Sequence, residues 1–87
     1  MDESITEMIK FIINNLVDLK KPIEEIDLDD NLLILGMDSI TTLKVIVELE
    51  NEYNIEFDDE MLTYNNLKSI NSIFNCVEQL KNVNREI

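Results

Sequence analysis

The stretch SITEMIKFIINNLV, residues 4–17, decides the fold. Its apolar side chains fall at Ile5, Met8, Ile9, Ile12, Ile13, Leu16 and Val17. Gaps of three and one repeated in this way mark one face of an α-helix, and only Phe11 falls off the stripe. Ser4 at the cap and Glu7 three residues on fit a capping box. Pro22 ends the helix, because the residue before a proline avoids helical backbone angles.

The same reading extends along the chain. One glycine and one proline in 87 residues leave too few turn residues for a strand-rich fold. Ser69 is placed to cap a last helix whose stripe is Ile70, Ile73, Phe74, Val77 and Leu80, followed by a polar tail, NVNREI, expected to fray. A second helix should start at Asp38 or Ser39 and run to about Tyr53. Its apolar residues, Ile40, Leu43, Val45, Ile46, Val47 and Leu49, wrap more than one face, which predicts a helix at the centre of the bundle. Leu43, Ile46 and Val47 read as core. Asp58, with Asp59 and Glu60 behind it, should start a short third helix.

Between the first two helices lies a connection of unusual length, about Leu19 to Met37. Ile26, Leu28, Leu32, Leu33 and Leu35 should pin it to the helices, with a helical turn near Leu32. The expected fold is all-α: a four-helix bundle of three main helices and one short one, with a long loop between helices one and two. It forms a single domain over residues 1–87, with its core at about 4–82.

Composition narrows the function. Hydrophobic residues make up 45% of the chain, enough for a compact fold that buries roughly 60–65% of the extended-chain surface. Nineteen acids against seven bases give a net charge of −12. Nucleic acids and anionic membranes are therefore poor partners, and basic protein surfaces are good ones. Cys76 has no second cysteine to pair with, so a reducing compartment is expected, with Cys76 read as a buried helix residue rather than a reactive thiol. The acidic N-terminus is no secretory leader, and the longest aliphatic run, Leu32–Leu35, is far too short to span a membrane. These features predict a cytoplasmic, free-standing monomer.

Metal and catalytic chemistry find little support. In DLDDNLLILGMD, Asp27, Asp29, Asn31 and Asp38 take the first, third, fifth and twelfth places of a calcium loop. Leu32 stands where such a loop needs glycine, and Asp38 where it needs a bidentate glutamate, so a solvated acidic loop is the better reading. One cysteine and no histidine exclude a structural zinc site. Ser39 lacks a histidine to activate it, and Lys44 lies too far round the helix.

The stretch Leu35-Gly36-Met37-Asp38-Ser39-Ile40 nevertheless needs an explanation. Gly36 permits a sharp approach to the second helix, and either Asp38 or Ser39 suffices to cap it. An additional hydroxyl exposed at the positive helix end would favour an attached phosphate. These six residues resemble the L-G-x-D-S-[LI] motif of the acyl carrier and peptidyl carrier proteins. The resemblance continues through Thr42, Leu43, Leu49, Glu50, Tyr53 and NIEFDDEML, and covers about residues 4–82.

The resemblance implies that the chain is no enzyme. Ser39 would receive 4′-phosphopantetheine from coenzyme A through a separate magnesium-dependent phosphopantetheinyl transferase. The thiol of that arm would hold acyl, aminoacyl or peptidyl groups as thioesters. Gly36, Met37, Asp38 and Ile40 would frame the arm, with Asp38 positioning metal or transferase, Met37 touching the arm, and Ile40 either contacting partners or packing in the core. Ile40, Thr41, Leu43, Lys44 and Met61 would meet the docking enzymes: the transferase, an adenylating or acyl-loading enzyme, and downstream synthase, condensation or tailoring enzymes. Carriers of bacterial fatty acid synthesis usually have acids where this chain has Thr41 and Lys44. That departure points to a specialised pathway, nonribosomal peptide or polyketide, rather than housekeeping fatty acid synthesis. A different class of function is an unmodified carrier-like adaptor that binds basic proteins.

Overall fold

A computed structural model describes residues 3–85. Four α-helices carry the fold: α1 (Glu3–Leu16), α2 (Ser39–Tyr53), α3 (Tyr64–Leu67) and α4 (Ile70–Arg85). Single 3-10 turns interrupt the connections at Ile23–Glu25 and Asp59–Met61. The expected all-α bundle, with three long helices, a short one and a long first loop, is the observed architecture.

α1 packs on both α2 and α4, and α3 packs on α4. Ile5, Ile9, Ile12 and Ile13 of α1 are buried, as is Val17 just beyond its end. Each such side chain contributes roughly 1.5–3 kcal/mol on leaving water. Phe11, off the stripe, is 62% exposed. From α4 come the buried Ile70, Ile73, Phe74, Cys76 and Val77. Ser69 caps that helix as expected, its Oγ accepting from the Ser72 amide at 3.1 Å while Ser72 Oγ accepts from the Ser69 amide at 3.1 Å.

The long loop is sewn to the bundle by backbone hydrogen bonds. The Lys20 amide donates to Leu35 O at 2.8 Å, the Leu32 amide to Lys68 O at 2.7 Å, and the Asn71 amide to Leu28 O at 2.9 Å. Ile26 and Leu32 are buried, and Leu28 and Leu35 pack against the core. Leu33, expected among these anchors, is exposed. Gly36 has φ +126°, and a Cβ there would lie 2.5 Å from Asp18 O, so both the backbone angle and the space demand glycine.

Four expectations need correction. Ser4 lies inside α1, which starts at Glu3, rather than ahead of it. The short helix is not the segment headed by Asp58: Asp59–Met61 makes one 3-10 turn without a side-chain cap, and α3 starts at Tyr64, where Thr63 Oγ1 accepts from the Asn66 amide. The tail expected to fray from Asn82 continues α4 as far as Arg85, and the last two residues lie outside the described ones. Most important, α2 is not enclosed. Thr42, Val45, Ile46 and Leu49 form its buried face, whereas Ile40, Leu43 and Val47 are 65%, 54% and 51% exposed.

Candidate functional site

The site forms where the loop turns into α2. Gly36 turns the chain, Met37 inserts into the core, and Asp38 takes an extended conformation (φ −104°, ψ −176°) as the N-cap. Asp38 Oδ1 accepts from the Thr41 amide at 2.8 Å and from Thr41 Oγ1 at 2.9 Å. Thr41 Oγ1 in turn accepts from the Asp38 amide at 2.9 Å, which closes a capping box. Thr42 Oγ1 donates to Asp38 O at 2.6 Å. The hydrogen bonds from Thr41, backbone first and then side chain, hold the Asp38 carboxyl below its ordinary range.

Because Asp38 is the cap, Ser39 need not be. It is the first residue of α2, it is exposed, and its hydroxyl has no hydrogen-bond partner among the described residues. Beside it lies an open hollow of about 320 Å³ whose wall includes Leu33, Thr42, Leu43, Leu62 and Tyr64. The other neighbours separate into two groups. Ile40 is on the surface and not in the core. Met37, expected beside the arm, is 2% exposed and its amide donates to Leu32 O, so it anchors the turn from within. Thr41 is half-buried with its hydroxyl engaged by Asp38, Lys44 is exposed and makes no ion pair among the described residues, and Met61 packs against the core.

Two residues escaped the sequence reading. Leu16, at the end of α1, and Val47 extend the exposed apolar surface of Ile40 and Leu43 away from Ser39. The signal was present: α2 carries two interleaved stripes, 42-45-46-49 and 40-43-47, and a helix at the edge of a small bundle buries only one face.

The site presents an exposed hydroxyl at the head of a helix that the neighbouring Asp38 caps. The family model described as phosphopantetheine attachment site matches residues 13–75. Acyl carrier proteins of two Rickettsia bellii strains, RML369-C and OSU 85-389, are each 30% identical over 82 residues, covering 93% of this chain and 90% and 95% of theirs. The fold is similar to a chain in crystal structures of an engineered Bradyrhizobium japonicum glycine:[carrier protein] ligase complexed with a carrier protein from Agrobacterium tumefaciens. With ATP bound, the TM-score is 0.79 at 24% identity over 86% of this chain and 97% of that one. With AMP bound, it is 0.78 at 25% identity over 84% and 97%.

The chain belongs to the phosphopantetheine-attachment family and is an acyl carrier-type protein that bears 4′-phosphopantetheine covalently. Its residues fit that group. The Ser39 hydroxyl is accessible and makes no hydrogen bond among the described residues, and it stands at the positive end of α2, where a phosphodiester would be favoured. When bound, the arm supplies a thiol that tethers cargo as a thioester. No helix among the described residues is long and apolar enough to cross a membrane.

Proposed function

We propose that Ser39 is the attachment residue and that the protein shuttles thioester cargo in a specialised pathway. The observation that carries this reading is the division of labour at the head of α2. Asp38 takes the capping role that either residue could have filled, and leaves Ser39 exposed and unbonded. Ser39 Oγ would form the new O–P bond as the pyrophosphate bond of coenzyme A breaks and adenosine 3′,5′-bisphosphate leaves, and its proton would pass to the transferase, because the neighbouring Asp38 carboxylate is engaged by Thr41. Gly36 and Asp38 would fix the direction in which the arm leaves. The arm's reach raises the effective concentration of cargo at each partner enzyme.

The specialised role is favoured by Thr41 and Lys44, neutral and positive at positions that are acidic in carriers docking on basic fatty-acid enzymes. An adenylating ligase is the loading enzyme we favour, because the similar solved chain comes from a complex between such a ligase and a carrier. Coenzyme A as the donor favours a cytoplasmic location.

The test is intact mass after incubation with coenzyme A, magnesium and a broad-specificity transferase. Wild type should gain one phosphopantetheine, and Ser39→Ala should gain none while keeping its helicity. If wild type gains nothing where a control carrier is modified, the unmodified adaptor becomes the better reading. A panel of acyl and aminoacyl adenylates offered to the modified protein then identifies the cargo class.

A further inference from the structure

Phe11 is the one aromatic residue of α1, and it faces solvent, 62% exposed. At about 100° per residue, Glu7, Lys10, Phe11 and Asn14 form a stripe centred roughly 165° from the buried stripe of Ile5, Ile9, Ile12 and Ile13. α2 and α4 both pack on α1, whose buried side chains are those isoleucines, so the outer stripe is turned away from both helices. The 3-10 turn at Ile23–Glu25 runs alongside it. Ile23 and Glu24 join the four α1 residues in bounding an open hollow of about 400 Å³. A second hollow shares Glu7 and Lys10 and adds Glu3. A ring set in a hollow beside another apolar side chain is the arrangement aromatic residues adopt at interfaces, and it differs from a single aliphatic residue left on a surface.

The charges around Phe11 define what fits it. Three acids, Glu3, Glu7 and Glu24, rim the two hollows against one base, Lys10. Lys10 is held by Glu7 at 3.7 Å, and Lys21, two residues before Ile23, by Asp30 at 3.2 Å. Glu3 and Glu24 make no ion pair among the described residues. The ring therefore sits within a negative rim whose bases are already engaged. A second copy of the chain, carrying −12, is a poor occupant, and so is an anionic membrane or polymer. A guanidinium fits, because it stacks flat on an aromatic face and donates through its edge to a carboxylate at the same time. The ammonium of lysine is a compact point charge and does not combine the two contacts.

We propose that the outer face of α1 holds a partner protein through an arginine, its guanidinium stacked on Phe11 and bonded to Glu24, with an apolar neighbour against Ile23. The site shares no residue with the hollow beside Ser39. Such a partner can keep hold of the protein while Ser39 is being modified or its cargo used. That consequence rests on the carrier reading; the binding itself does not.

The probe is a fluorescein-labelled, amidated hexapeptide of alternating arginine and leucine, titrated into the whole protein at about 0.15 M salt, where non-specific attraction is screened. Amide shifts of the ¹⁵N-labelled protein should centre on Glu7, Phe11, Asn14 and Glu24. Phe11→Ser should weaken binding by about fivefold or more, Phe11→Tyr should retain it, and Glu24→Gln should weaken it by about twofold or more. The peptide with lysine in place of arginine should bind at least about threefold more weakly. Ile34→Ser, which removes an equally exposed apolar side chain from the loop, should match wild type. Saturating peptide should leave the rate of Ser39 modification by a broad-specificity transferase within about twofold of its value without peptide, as expected for separate sites. Shifts spread over the acidic surface, or equal binding of the lysine peptide, overturn the proposal by reducing it to general charge attraction. A wild-type dimer in sedimentation, or flotation with phosphatidylcholine vesicles, overturns it if Phe11→Ser abolishes either, since the face then serves a second copy or a lipid surface. A peptide that blocks modification overturns the separateness of the sites. Failure to modify wild type even without peptide defeats the carrier reading and leaves the titration standing. Circular dichroism of each variant separates these outcomes from misfolding.

Discussion

Asp38 shows how one side chain sets up the site. Its carboxylate is engaged by the Thr41 amide and hydroxyl, and its pKa falls because both bonds favour the charged form. A carboxyl with a depressed folded pKa contributes stability that is present above its unfolded value and lost as pH falls through the folded one. The ordinary value is 3.8, so this contribution should be complete at neutral pH and disappear only in acid below that value. Two observations check it. The Asp38 carboxyl resonance and the Thr41 amide should titrate together, below the ordinary value of 3.8. Asp38→Ala should lower Tm at pH 7, and the difference from wild type should narrow progressively as the solution is acidified past 3.8. A Thr41 amide that titrates at or above 3.8 would show that the box does not hold in solution.

At the scale of elements, the two faces of α2 predict opposite responses. Leu49 is fully buried, so Leu49→Ala should cost about 2–5 kcal/mol in urea unfolding, from lost transfer energy and the cavity left behind. Val47→Ala, two residues away on the exposed face, should change stability by no more than about 0.5 kcal/mol. Comparable costs at both positions would mean that α2 is enclosed after all, as hydropathy alone suggests. This pair marks where the sequence stops being legible. α1 and α4 each carry one clear apolar stripe, and both were readable. The limits of α2 were readable too, because Gly36, Asp38 and Ser39 signal its start chemically. Which of its two stripes faces inward depends on where α1 lies, and no local pattern contains that. α3 was misplaced because Asp58, with acids behind it, reads locally as a cap, whereas the helix starts after Thr63 and buries Leu67. Met37 follows a glycine turn in a loop without periodicity, so its burial had no local signal. The candidate site at the head of α2 was picked out by its resemblance to the carrier-protein motif, and the cap and exposed hydroxyl that the structure shows there are local features.

For the whole molecule, charge is the property that packing does not balance. Nineteen acids and seven bases share a body about 41 × 25 × 20 Å across. Among the described residues only two ion pairs form, Lys10–Glu7 at 3.7 Å and Lys21–Asp30 at 3.2 Å. Pairs of this kind at a surface contribute roughly 0–1 kcal/mol each and weaken as salt is added. The repulsion among unpaired carboxylates acts over the whole surface and opposes folding, because the folded chain holds the charges closer together than the unfolded one. At about 0.1 M salt the screening length is roughly 10 Å, shorter than the molecule yet long enough for neighbouring acids to interact, and at about 0.01 M it is roughly 30 Å. Repulsion is therefore the larger of the two salt-sensitive effects. Moving from about 10 mM to 500 mM sodium chloride at pH 7 should raise Tm by several degrees, since each kcal/mol recovered shifts a domain of this size by about 4–8 °C. An equal osmolality of a neutral solute should reproduce little of the rise, which separates screening from general exclusion effects. A Tm that falls with sodium chloride would mean that the two ion pairs and the Asp38 cap outweigh the repulsion, and that the charge is arranged far more favourably than its sum suggests.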